Sequence, residues 1–383
     1  MKKKALVLIL GLLCLLGLAA CGGSETPKTT TNDPAAYQTT GRGGVIPGGS
    51  VTQAPQPVGT TQALPAGSGT HIDTMTVMYV PARSSEDILV STADLGELLI
   101  SSFRERGFDI GNVVLRMSED YTSCGMELAA GTVDVAYLPG SVYAMYGDEV
   151  QLALTATRDM LSNDSTIPSE WNGEANKSEL LPGVPVGYYK SLIYAAPTDI
   201  GQALAAKVNA GGSLTWDDIA GCRWAVGPAT SAHGHIYPNL WLKEHFDKKL
   251  TDLPQMTVME YPEAFRQAAA GQVDIIVCYA DGRMDYEAQW QASWGRPASI
   301  WNELNVVGVT PNIYNDTLCL SRAGVNRDVL TNPHFIKTFQ EIMMKLPETE
   351  EGQRILGVYS HTGYMVGQDS DYEITRNAIN GMR

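Results

Sequence analysis

Gly227-Pro228-Ala229-Thr230-Ser231-Ala232-His233-Gly234-His235-Ile236-Tyr237-Pro238 is the stretch around which the chain reads. A strand-like run, Trp224-Ala225-Val226, precedes it and a helix-like run, 240–246, follows. A polar, glycine-punctuated turn that opens a helix leaves backbone N–H groups unpaired at the positive end of the helix dipole. Such donors suit an anion, and Thr230 and Ser231 add two hydroxyls. The same residues also read as ordinary helix capping, so the turn has to be weighed with the rest of the chain.

Working outward, the turn sits in a series of alternating elements: strand 223–227, helix to 246, strand 256–261, helix 262–270, strand 273–279 and helix 284–291. A similar series precedes it: strand 76–80, helix 85–106, strand 113–117, a helix to 130, strand 133–138, helix 141–146 and strand 151–157. Strands alternating with helices predict α/β lobes with mostly parallel sheets. Residues 158–186, rich in Ser, Asn, Asp, Pro and Gly, read as a long loop. An apolar strand follows at 188–196, and 213–219 reads as a short helix with Thr215 or Ser213 as its cap. A strand at 318–321 and helices 333–345, 348–356 and 371–377 close the chain. One echo links the two series. Ala129-Ala130-Gly131-Thr132-Val133-Asp134 recurs as Ala269-Ala270-Gly271-Gln272-Val273-Asp274. Each copy reads as a helix end, a glycine C-cap and a buried strand. The spacing is too long for a solenoid, so the echo predicts one unit used once in each of two similar lobes.

The N-terminus reads as a leader. Lys2, Lys3 and Lys4 precede an apolar run, 5–20, that ends in Leu18-Ala19-Ala20-Cys21. This tetrapeptide resembles a bacterial lipobox, with Cys21 the lipidated residue of the mature chain. One lipid chain holds a protein at a membrane without spanning it. Residues 22–71, rich in Gly, Thr, Pro, Ser, Gln and Ala, read as a disordered tether, with a reach of roughly 40 Å for a flexible chain. The net charge of −15 argues against nucleic acid as a partner. The remaining thiols, Cys124, Cys222, Cys278 and Cys319, show no C-x-x-C spacing and read as buried free cysteines. His233 and His235 stand two apart, which does not put both on one helix face, so no metal is expected. No nucleophile elbow, zinc motif or phosphate-binding loop is present. Neither an enzyme nor a cofactor is expected.

Two α/β lobes, a lipobox and the paired A-A-G-x-V-D motif together resemble the type II periplasmic-binding-protein fold. Within it, residues 75–345 resemble the PhnD-like phosphonate, phosphate and phosphite substrate-binding proteins of ABC transporters. The marks are Val80-Pro81, Asp120-Tyr121, Gly187-Tyr188-Tyr189-Lys190-Ser191, the Pro228–Gly234 turn and Asn315-Asp316-Thr317. The resemblance implies two lobes, 72–190 plus 320–383 and 191–319, joined by hinge strands near 189–196 and 317–321, with the ligand between them. It implies Thr230 and Ser231 on the ligand's oxygens, Tyr121 donating to the same group, and Tyr188 or Tyr189 lining the cleft. It further implies Asp316 accepting from the ligand, with Asp281 as another acidic contact. Residue by residue, Tyr121, Tyr188 and Tyr189 also read as packing, and Asp281 and Asp316 as loop or turn chemistry. The turn departs from the family's hydroxyl-rich pattern, and Glu260-Tyr261 stands where a histidine is common; His233 is the candidate to replace it in space. A carboxylate facing an anion needs a proton or a cation between them, so the acidic residues predict a protonated oxyanion or a zwitterion. The expected role is an extracytoplasmic, lipid-anchored protein that passes a small anion or zwitterion to an ABC permease. The alternatives are the same fold binding an amine, a thiamine-type pyrimidine or a sulfonate, or a ligand-presenting accessory to a membrane sensor.

Overall fold

The two echoed aspartates show how the fold is built. A computed structural model describes residues 70–382. The leader 1–21 with Cys21, and most of the 22–71 segment, lie outside the described residues. Asp134 accepts the Thr76 N–H at 2.8 Å, and its own carbonyl receives the Ser321 N–H at 2.9 Å. Asp274 accepts the Arg223 N–H at 2.9 Å, and its carbonyl receives the Ala196 N–H at 2.8 Å. In each case one residue fastens three neighbouring strands at the same end. The preceding glycines, Gly131 and Gly271, have φ of 75° and 68°, which a Cβ would strain.

The sheets repeat accordingly. In the first, the order is Gly363–Val366, Val150–Leu161, Thr317–Ser321, Val135–Leu138, Met75–Tyr79, Val113–Met117, with Leu180–Val186 paired to the far half of the long strand Val150–Leu161. In the second, it is Asn305–Val309, Ser191–Ala195, Ile275–Tyr279, Trp224–Val226, Met256–Val258. Each has a parallel trio next to an antiparallel strand, Thr317–Ser321 or Ser191–Ala195. Both antiparallel strands directly follow a crossing segment. Tyr188–Tyr189 and Ile313–Tyr314 pair antiparallel as a two-stranded ladder between the sheets. A chain arriving from the other lobe enters its sheet at the end where the parallel strands leave it, so it must run against them. The expected mostly parallel sheets are therefore mixed. This is the two-lobe type II periplasmic-binding-protein fold.

Local differences from the sequence reading have local causes. The helix expected over 85–106 is two, Ser85–Ser91 and Leu95–Arg104, split where the Thr92 hydroxyl bonds back to the Ile88 carbonyl. Helix Asp199–Asn209 and strands Asn305–Val309 and Gly363–Val366 were not anticipated. The largest correction is 158–186. It is not a loop but a hairpin arm: Val150–Leu161 runs on past the first sheet, and Leu180–Val186 returns along it. Between them, Trp171 is buried in the apolar core of the second lobe. Asn172 exchanges two hydrogen bonds with Val306 on the edge strand, at 2.6 and 2.9 Å, satisfying an otherwise open edge. Lys177 pairs with Glu287 at 2.6 Å.

A second bridge is the last helix, Glu373–Met382. Its Ala378 packs with Ala232, Ile236 and Tyr237, and Thr375 shares a 2.7 Å hydrogen bond with the Tyr237 hydroxyl. Among the described residues no cysteine is in a disulfide, and all four are buried. Burial pushes the Cys124 and Cys319 thiols up to about 12, so they behave as apolar packing.

Candidate functional site

The Gly227–Pro238 stretch is a turn braced by several of its own hydrogen bonds. Ser231 caps a five-residue π-type turn, Ala232–Ile236, that leads into helix Tyr237–Phe246. The Gly227 N–H donates to the Gly234 carbonyl at 2.9 Å. A Cβ on Gly234 would stand 2.9 Å from the Gly227 Cα, so the two backbones meet only because both residues are glycine. The Ser231 Oγ accepts the Gly234 N–H and lies 3.0 Å from the Tyr261 hydroxyl. The Ser231 carbonyl receives the His235 and Ile236 N–H groups. Thr230 is exposed, whereas Ser231 is only 1% exposed. The expected hydroxyl pair is thus divided between solvent and interior.

His233 is fully buried behind this turn. Its ring packs against Tyr189, Tyr261 and Tyr279 with centroids 5.2–5.7 Å apart. Its Nδ1 is 3.1 Å from the Tyr189 hydroxyl, and its carbonyl accepts from the Ser191 hydroxyl at 2.6 Å. The structure therefore brings Tyr189, Ser231, His233 and Tyr261 into one wall on the second lobe. Tyr188 points elsewhere, donating to Asp164 of the arm at 2.8 Å; Lys190 pairs with the same carboxylate.

Asp281 is not part of that wall. Both its oxygens are taken by the Arg283 guanidinium at 2.7 and 2.9 Å, by the arm's Ser178 hydroxyl at 2.8 Å and by Tyr194. Arg283 is 0% exposed and lies 4.4 Å from the Trp301 ring centroid. This buried pair holds the arm to the second lobe, and it leaves the carboxylate no face for a ligand.

The first lobe presents a different surface. Tyr79 and Tyr137, at strand ends, stack at 4.6 Å, and Tyr359 adjoins both. Burial pushes the phenols of Tyr79, Tyr137 and Tyr359 well above their ordinary value, so they remain neutral. Tyr121 opens helix Tyr121–Ala130, is 8% exposed and lies in electrostatic reach of Tyr359. Asp316 accepts from His361 at 3.1 Å, and the Arg158 Nη2 stands 3.7 Å from the same carboxylate, too far for a hydrogen bond. Burial holds His361 below its ordinary 6.5 although the Asp316 hydrogen bond pulls the other way.

A pocket opens between these surfaces. The first lobe lines it with Pro139, Gly140, Ser141, Arg158 and Asp316, and the crossing region with Tyr189, Ile313, Tyr314 and Asn315. Ala232 of the turn and Thr375 of the last helix complete it. Of the residues expected from the sequence, Tyr189 and Asp316 line the pocket. His233, Ser231 and Tyr261 stand behind Ala232 and Tyr189. Tyr121, Tyr188, Thr230 and Asp281 are not among its lining. Sequence reasoning missed Arg158, Asn315 and His361. Arg158 carried a signal: it is the first charge after the uncharged run 150–157. His361 carried none. Among the described residues no cluster of metal-ligating side chains occurs and no helix is long and apolar enough to cross a membrane.

The chain and its fold resemble those of known proteins. A family model described as the periplasmic substrate-binding protein of phosphonate ABC transporters matches residues 77–372. No curated protein matches the sequence. Among solved structures, Mh-p37 of Mycoplasma hyorhinis, proposed to be a thiamine pyrophosphate transporter, aligns with a TM-score of 0.57 at 14% identity, over 82% of this chain and 100% of its own. XAC2383 of Xanthomonas citri, solved with ATP, aligns with a TM-score of 0.52 at 11% identity, over 81% and 97%. A phosphonate-transporter binding component of Pseudomonas aeruginosa, PA3383, aligns with a TM-score of 0.45 at 14% identity, over 80% and 85%.

Proposed function

The chain belongs to the family of periplasmic substrate-binding proteins of phosphonate ABC transporters, and from that premise we propose that its cleft captures a phosphonate, phosphite or phosphate for import. Such proteins bind a small molecule outside the cytoplasm and work with an ABC permease. The observation that carries the reading is the pocket at the crossing ladder, lined from the first sheet, the ladder, the Ala232 turn and the last helix together. A ligand there touches parts that move relative to one another when two lobes close about a hinge, so its binding energy favours the closed form. Lobe 1 comprises about 72–190 plus 320–383, and lobe 2 about 191–319. Tyr189 and Asp316 are ligand contacts, and Ser231, His233 and Tyr261 shape the wall behind them. Cys21 carries the lipid that keeps the protein at the extracytoplasmic face of the membrane.

Isothermal titration of the protein with phosphate, phosphite, methylphosphonate, 2-aminoethylphosphonate and a thiamine-type pyrimidine tests the ligand class. Micromolar or tighter binding of a phosphorus oxyanion is expected. Binding of the pyrimidine alone, or of nothing, rejects it. Changing Cys21 to Ala is expected to release the protein from washed membranes; retention rejects the anchor.

A further inference from the structure

Two polar atoms on the pocket's lining residues are left without partners, and they are of opposite kind. Arg158 lies where the long strand changes partner, from Gly363–Val366 to Leu180–Val186. Its Nε is buried and has no hydrogen-bond partner among the described residues. The rest of the guanidinium is barely engaged: Nη2 stands 3.5 Å from the Tyr359 carbonyl and 3.7 Å from Asp316. A guanidinium carries five donors and no acceptor, and buried polar groups are otherwise nearly always paired. The second atom is the Asn315 Oδ1, also buried and without a partner among the described residues. Its orientation is fixed, because the Nδ2 donates to the carbonyls of Ala156 and Val186 at 3.1 and 3.4 Å. That assigns the remaining atom as an acceptor. The Asn315 backbone is clamped as well, its N–H on Gly187 and its carbonyl on the Tyr372 hydroxyl.

We infer that Arg158 and Asn315 are the ligand's principal polar contacts, Arg158 donating to an anionic oxygen and Asn315 accepting from a hydroxyl on the same ligand. A cation and an amide acceptor in one pocket select an oxyanion that still bears a proton, such as a phosphonate monoanion. The fixed fork of an arginine grips such a group in two places. A sulfonate of the same shape and charge supplies no donor, so the Asn315 oxygen stays buried and unpaired, which is the costlier half of a lost hydrogen bond. The inference rests on the phosphorus-oxyanion reading above and names the residues and the protonation state that serve it. It places the charge-bearing contact on the first lobe, at residues outside the Thr230–Ser231 turn.

The test is titration of the full-length protein with methylphosphonate and with methanesulfonate at pH 6. The wild type is expected to bind methylphosphonate and to bind methanesulfonate about tenfold or more weakly. Arg158→Gln is expected to lose about 10- to 100-fold in methylphosphonate affinity, as for one charge-assisted hydrogen bond. Arg158→Lys, which keeps the charge and the aliphatic stem but lacks Nε, guards against a folding defect and is expected to lose a smaller part. Asn315→Ala is expected to narrow the gap between the two ligands. Wild-type affinity in both Arg158 variants overturns the donor assignment while the transport reading stands. Equal binding of the two ligands by the wild type overturns the acceptor assignment. Wild-type silence on every phosphorus oxyanion overturns the transport reading, and the inference with it.

Discussion

The two faces of the cleft are built from the same strand pattern and have spent their polar atoms differently. On the second lobe, the Ser231 hydroxyl is engaged by the Gly234 N–H and the Tyr261 hydroxyl, and Tyr189, Tyr261 and Tyr279 close over His233. Opposite it, Arg158 of the first lobe and Asn315 of the crossing region keep atoms in reserve beside the pocket. What such a turn offers a ligand is therefore set by more than its residue types. What counts is which donors remain after the fold has taken its share. The aspartates of the echo repeat the contrast: burial raises Asp134, whereas Asp274 is lowered because, against its burial, the Arg223 guanidinium, the Arg223 N–H and the Thr198 hydroxyl act together.

The sharpest way to break the comparison is Asp281→Ala. If the carboxylate belongs to the fold, its loss strands a fully buried guanidinium and costs about 3–5 kcal/mol in denaturant unfolding. Affinity for methylphosphonate changes only as far as the arm's seat is disturbed. Unchanged stability with lost binding would return Asp281 to the ligand. A smaller effect is expected from Ser231→Ala, about 1 kcal/mol for a lost helix cap. An affinity loss much larger than that stability loss would give the anion back to the turn.

The pH dependence of stability separates the faces further. His361 has a folded pKa held below its ordinary 6.5 by burial, against the pull of Asp316 and with Arg158 lowering it further. The unfolded chain therefore takes up this proton more readily. Stability is full above about pH 6.5 and falls as the pH drops through the folded value. His361→Gln is expected to flatten that decline between pH 7 and 5. His235, lowered by burial, contributes with the same sign and remains in the variant. An unaltered slope would detach His361 from the first-lobe cluster. The smallest effect is expected from Thr230→Ala, within about 0.5 kcal/mol because the side chain is exposed. A tenfold loss of methylphosphonate affinity would show that the exposed hydroxyl reaches the ligand after all.

Much of the fold was legible, and the reason is local. Continuous apolar runs such as Ile275–Tyr279, and caps such as Thr215, are written within a few residues of where they act. The repeated A-A-G-x-V-D segment marked the two-lobe plan because helix end, positive-φ glycine and strand start are neighbours in the chain. The arm was not legible. Its polar composition suits a loop, and its seat comes from partners elsewhere in the chain: Trp171 in the second lobe's core, Asn172 on Val306 and Ser178 on Asp281.

The sequence by itself determined the class: an acidic chain of two α/β lobes in the phosphonate substrate-binding family. The tertiary structure alone decided which polar groups are available there. Thr230 and Ser231 look equivalent in the chain, yet one is exposed and the other consumed. Asp281 and Asp316 look equivalent, yet Arg283 encloses the first while the second lines the pocket. A residue's type and neighbours set what it can bind. Whether that capacity is left over for a ligand depends on partners brought from distant parts of the chain, as Ser178 is brought to Asp281 and His361 to Asp316.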